Sequence, residues 1–155
     1  MKKNLLFKVL GEDPGSKNYA RTIISVYTKK NNFIFELEHT ELANDMIQNL
    51  TGDIGDSLLA YKKSIKAFEK RHGVTECYAA ERFMSRGLRG NLGELVTMMI
   101  TINVMTFKCS FKKLLAAVTW KTPFKKKFDL ELAYKQIKPK PPHLLDSALI
   151  AIYAA

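Results

Sequence analysis

The stretch Glu76-Cys77-Tyr78-Ala79-Ala80-Glu81-Arg82-Phe83 constrains this chain most, because it is a short, nearly continuous apolar run carrying one acid near its end. A strand covered on one face alternates apolar and polar residues, whereas a continuous apolar strand is buried on both faces. Helical periods flank it. Between Gly52 and His72, Leu58, Leu59, Ile65 and Phe68 recur at helical spacing among lysines, and Gly73 supplies a stop. From Asn91 to Phe107, Leu92, Leu95, Val96, Met98, Met99, Ile100, Ile102, Val104 and Met105 make a helix that is apolar on nearly every side, with no charge after Glu94. Such a helix must be covered all round: a sheet can cover one side, and either a second copy of the protein or the rest of its own domain the other.

Three further strands precede this core. Leu5 to Gly11 is apolar and runs into the turn Glu12-Asp13-Pro14-Gly15, Ala20 to Thr28 is β-branched and aromatic, and Phe33 to Glu38 alternates apolar with acidic residues. They read as an antiparallel meander. Downstream, Lys112 to Trp120 is expected to be a fifth strand and Lys125 to Ile137 a helix. Pro139 to Pro142 ends that helix, and Pro142 starts a last one through Leu144, Leu145, Ala148, Leu149 and Ile152. The expected fold is α/β, a five-stranded mixed sheet flanked by helices, in one domain over residues 1–155.

With 46% hydrophobic and 26% charged residues, the composition excludes a disordered or fibrous chain. Lysine and arginine outnumber the acids 25 to 15, a net charge of +10 that favours a polyanionic partner, nucleic acid before an acidic membrane. The start has two lysines but no long apolar stretch or cleavage site, and no run is long enough to span a bilayer. The expected setting is the cytoplasm of a bacterial or phage-infected host cell, or an organelle. Cys77 and Cys109 lie far apart without metal-ligand spacing and read as core thiols.

Three acids stand where carboxylates are costly: Asp13 leaving the first strand, Glu81 within an apolar strand, and Asp146 on the apolar face of the last helix. Each has a plain alternative. Asp13 can be a turn aspartate, Glu81 can pair with Arg82 or a lysine, and Asp146 can sit on its helix's solvent edge. Together, at one end of adjacent elements, they would make an oxygen-rich site for hard divalent cations. Two Mg²⁺ ions about 4 Å apart can activate water and stabilise the leaving oxygen of a phosphodiester.

Glu12-Asp13-Pro14-Gly15, then Ala80-Glu81-Arg82-Phe83, then Pro142-His143-Leu144-Leu145-Asp146-Ser147-Ala148 resembles, in order and spacing, the RuvC family of Holliday junction resolvases. The resemblance implies a ribonuclease H-like fold, a homodimer, and symmetric cutting of a four-way DNA junction with Mg²⁺, for which Mn²⁺ can substitute. It carries Asp13, Glu81 and Asp146 over as metal ligands, and it puts His143 where many members have a fourth acid. His143 is then a candidate ligand or proton-transfer group, or else a surface or capping residue. An aromatic wedge shortly after the glutamate falls on Phe83, two positions on with Met84 at three, and core packing is the alternative reading of Phe83. Arg86 and Arg89 in the following loop, and Lys112, Lys113, Lys121 and Lys125 further on, are candidates for phosphate contact. Three other readings stay open: a looser branched-DNA nuclease that also cuts replication forks or flaps, a ribonuclease H-type nuclease acting on RNA–DNA hybrids, and a non-catalytic module that binds structured DNA.

Overall fold

The computed structural model describes residues 3–15, 18–30, 32–43, 54–82, 91–121 and 142–155. Their elements run β1 (Asn4–Asp13), β2 (Ala20–Lys29), β3 (Asn32–Leu42), α1 (Ile54–His72), β4 (Cys77–Glu81), α2 (Asn91–Thr106), β5 (Phe111–Leu115) and α3 (Pro142–Ala154). The sheet has the order β3-β2-β1-β4-β5. The meander pairs antiparallel, while β4 lies parallel to both β1 and β5, so the sheet is mixed as expected.

Residues 111–121 differ from expectation. The strand expected to reach Trp120 ends at Leu115, because the Ala116 carbonyl accepts bonds from both the backbone N–H and the hydroxyl of Thr119, and residues 117–121 close into a helical turn. The helix expected at Lys125 to Ile137 lies outside the described residues, as do Phe83, Arg86, Arg89 and Lys125.

The apolar run of β4 is buried on both faces. Tyr78 and Ala80 join Leu10, Ile23, Tyr61, Ile65, Phe68, Met99 and Phe107 in a core under α1 and α2. On the other face, Cys77 packs with Val9, Ile24, Val26 and Ala151, and Ala79 with Leu115, Trp120, Leu149 and Ile150, under α3. Within α1 the buried face is Tyr61, Ile65 and Phe68, and Leu59, expected inside, is 59% exposed. α2 buries Val96, Met99, Ile100 and Asn103, and turns Met98 and Met105 outward. Both cysteines are free thiols, and burial pushes both of their pKa values up. No described helix is long and apolar enough to cross a membrane.

α3 crosses β1 at Gly11. A Cβ there would collide with the Ser147 carbonyl oxygen and lie 2.7 Å from both Cβ and N of Ala151, so only glycine lets the helix sit this close. The Ser147 hydroxyl shares a 2.7 Å hydrogen bond with Thr22 on β2, which sets the helix's position along the sheet. Gly11→Ala is expected to cost about 1–3 kcal/mol by overpacking. Urea unfolding measures this, and an unchanged midpoint would contradict the close approach.

Candidate functional site

Parallel pairing of Gly11 with Ala79 and Glu12 with Ala80 brings Asp13 and Glu81 to the same end of neighbouring strands. The first turns of α3 pass over that end and add His143 and Asp146. The carboxylates are half-buried or buried: Asp13 is 8% exposed, and the Glu81 and Asp146 side chains are 20% and 22% exposed. His143 Nδ1 lies 2.8 Å from Asp13 Oδ2. Glu81 accepts the Trp120 indole N–H at 3.0 Å, and the Lys121 ammonium stands 3.3 Å from Glu81 Oε2 and 3.4 Å from Asp146 Oδ2.

The structure therefore brings together all four residues that the sequence offered as catalytic, Asp13, Glu81, His143 and Asp146. It also adds two neighbours. Trp120, fully buried, was expected in a strand, and Lys121, expected to meet phosphate, bridges two of the acids. The helical turn after β5 aims both inward, and no local periodicity signals such a turn.

The electrostatics are those of crowded carboxylates. Burial pushes the Asp13 carboxyl up to about 6; the His143 hydrogen bond opposes this, while the charges of Asp146 and Glu81 add to it. Burial disfavours the Lys121 ammonium, but Glu81 and Asp146 outweigh it and raise its pKa. A buried carboxyl beside two others is what a bound divalent ion would relieve, and the all-oxygen donors of Asp13, Glu81 and Asp146 suit a hard cation such as Mg²⁺. Here Lys121 holds Glu81 and Asp146 while His143 holds Asp13. Among the described residues the three carboxylates do not close to within 4.8 Å of one another.

The strand end bearing Asp13 is anchored from beneath by its neighbour. The pleat sends Glu12 to the opposite face, where its fully buried carboxylate accepts Tyr19 Oη at 2.7 Å and Tyr78 Oη, Arg21 Nε and Asn103 Nδ2 at 2.6 Å each. Arg21, equally buried, also donates to Tyr61 Oη at 2.8 Å, and Tyr61 donates to Asn103 Oδ1 at 2.8 Å. Its guanidinium lies within 5.4 to 6.0 Å of the ring centres of Tyr19, Tyr61, Phe68 and Phe107. Burial, reinforced by Glu12, raises the Tyr19 and Tyr78 hydroxyls well above their ordinary pKa, so both stay donors.

Of the lysines proposed for phosphate contact, Lys112 and Lys113 are exposed on the edge strand β5. The Lys112 ammonium reaches the Val104 carbonyl at 2.5 Å and so caps the end of α2.

No protein-family profile and no curated protein matches the sequence. Solved structures do. Thermus thermophilus RuvC in complex with a Holliday junction substrate superposes with a TM-score of 0.68 at 18% identity, over 94% of this chain and 90% of that one. The chain has the fold of RuvC. A second Thermus thermophilus RuvC structure gives 0.63 at 16% identity, over 94% and 91%. The yeast mitochondrial Holliday junction resolvase gives 0.55 at 15% identity, over 92% of this chain and 75% of its own. At these identities the likeness establishes the RuvC-like, ribonuclease H-like architecture, and function has to be argued from the site.

Proposed function

We propose that this protein is a divalent-metal-dependent endonuclease that resolves four-way DNA junctions. The observation that carries the reading is the convergence of Asp13, Glu81 and Asp146, with His143, at one end of β1, β4 and α3. Its support is the fold shared with resolvases solved with or named for Holliday junctions, and a net charge of +10 suited to the phosphate backbone.

Asp13, Glu81 and Asp146 would hold the ion, Mg²⁺ by their oxygen donors, with Mn²⁺ as a substitute. When bound, it supplies Lewis-acid polarisation of the scissile phosphate and an acidified water. The chain's own groups do the rest. With Nδ1 engaged by Asp13, His143 keeps Nε2 to take or give a proton, and its side chain is 41% exposed, open to an incoming strand. Lys121 holds Glu81 and Asp146 in place through one ammonium, and once an ion takes over those oxygens its charge is free to meet a DNA phosphate. The Trp120 N–H fixes the Glu81 carboxylate from the protein side.

A second copy of the chain completes the enzyme in this reading, since a two-fold junction needs two active sites. Met98 and Met105, 41% and 80% exposed on the outer face of α2, form the apolar stripe through which the copies would meet. The direct test is purified protein with a four-way junction, a replication fork and an RNA–DNA hybrid, each with Mg²⁺ and with chelator. Paired nicks in the junction, with Mg²⁺ only, are expected. Cleavage of the hybrid alone would select the ribonuclease H reading, and binding without cleavage the module reading.

A further inference from the structure

His39, Glu41 and His72 come together on the face of the sheet opposite the acidic site, where the edge strand β3 passes the end of α1. His39 Nε2 and Glu41 Oε2 are 3.1 Å apart, and one ligand atom from each of the three residues lies within 4.8 Å of the other two. The His39 and His72 rings stack at 4.1 Å between centroids, and Phe68 packs against both.

A bulge builds this corner. Ile24 pairs with Leu37 and the next residue, Ile23, pairs with His39, so Glu38 is the extra residue on β3. Simple alternation would put His39 on the face of Phe35 and Leu37, which pack in the core under α3. The extra residue reverses the alternation, and His39 and Glu41, two apart on one strand, face α1 instead. The Ser25 hydroxyl bonds to the bulged Glu38, and Lys8 holds its other oxygen at 2.7 Å, so the inversion is fastened on both sides. Thr40, between the two, faces the other way and bonds to Thr22.

We propose that His39, Glu41 and His72 form a binding site for a divalent transition-metal ion of the zinc class, clipping β3 to the end of α1. Two imidazoles and one carboxylate are borderline donors that suit zinc, whereas Mg²⁺ and Ca²⁺ want all-oxygen sets. Bonds of about 2.0–2.1 Å in a tetrahedron set neighbouring ligand atoms about 3.3 Å apart. The pair on β3 already stands at 3.1 Å, and closure needs the His72 ring to turn out of its stack on His39 so that its in-plane lone pair meets the same ion. Water takes the fourth position. The cations facing the cluster are Arg21, 3.9 Å from Glu41, and Arg71 next to His72. Glu12 holds Arg21 through Nε, while Glu41 stands 3.9 Å from Nη1 as a longer ion pair and keeps its other oxygen toward His39.

Zinc titration of the full chain by calorimetry tests this, with Mg²⁺ as the comparison ion. With saturating Mg²⁺ present to fill the acidic site, the wild type is expected to bind one Zn²⁺ at this corner and to melt at a higher temperature than with Mg²⁺ alone. His72→Phe keeps the ring packing and removes the donor, and Glu41→Gln removes the charge. Each is expected to weaken zinc binding on the order of 100-fold or more, since losing even an outer-shell partner costs about 10–100-fold. Asp146→Asn, at the acidic site, is expected to leave it intact. Zinc binding unchanged in His72→Phe, or lost only in Asp146→Asn, would overturn the assignment, and circular dichroism of each variant separates loss of ligand from loss of fold.

Discussion

Asp13→Asn is expected to slow junction cleavage by on the order of 10³-fold or more while making the protein more stable above pH 6. The first effect follows from removing one of three anionic oxygen donors, since metal stabilisation of a phosphoryl transition state is worth several kcal/mol and each ~1.4 kcal/mol is a factor of ten. The second follows from the environment of the carboxyl. Burial and the nearby charges of Asp146 and Glu81 raise Asp13 from 3.8 to about 6 despite its bond to His143, so the folded state holds the proton more tightly than the unfolded chain. The stabilising contribution of this group is complete below pH 3.8, declines as pH rises, and is lost once pH passes about 6. Above that, the native protein carries an ionised carboxylate in a poor place, at a cost of about 2–3 kcal/mol. Asparagine has no charge to bury and can still accept from His143. Denaturant unfolding in chelator at pH 8 and at pH 3.5 is the measurement: a gain for Asp13→Asn at pH 8 that disappears at pH 3.5 is expected. A variant less stable than the wild type at pH 8, or one that cleaves normally, would refute the account.

The other large effect lies beneath the site. Arg21→Met is expected to destabilise the fold by about 3–5 kcal/mol, because it strands the fully buried Glu12 carboxylate without its cation. Glu12 would keep Tyr19, Tyr78 and Asn103 as donors, which neutralise none of its charge. Glu12→Gln in the Arg21→Met background should recover part of the loss by removing the stranded charge, and a double-mutant cycle in urea gives the coupling. A loss below about 1 kcal/mol for Arg21→Met would mean that the pair is not closed to water. The network matters to function because Glu12 and Asp13 are consecutive, so whatever loosens one displaces the other.

Much of this was readable along the chain. The meander, the helix ending at His72, the doubly buried strand Cys77–Glu81 and the last helix follow from apolar periods and turn residues, which report local burial directly. Asp13, Glu81 and Asp146 stood out because a carboxylate in an apolar setting needs a reason, and the fold does gather them. Expectation failed where local signals are silent or shared. Lys112 to Trp120 has the composition of a strand, yet two bonds to one carbonyl at Ala116 turn it into a helix and bring Trp120 and Lys121 to Glu81. Leu59 fits the helical period but sits on α1's outer side, while Tyr61 takes the inner position to reach Arg21.

The order of elements and the set of acids are thus properties of the primary structure, since each rests on patterns within a few turns or one strand. The tertiary structure decided the partners. Glu12, an ordinary turn acid in sequence, becomes the buried centre of a network because β2, α1, β4 and α2 all converge on one face of β1. Gly11 sets the seat of α3, Lys121 bridges Glu81 to Asp146, and one extra residue in β3 turns His39 and Glu41 toward His72. Each depends on groups far apart in the chain meeting at contact distance, and no local pattern of residues encodes that meeting.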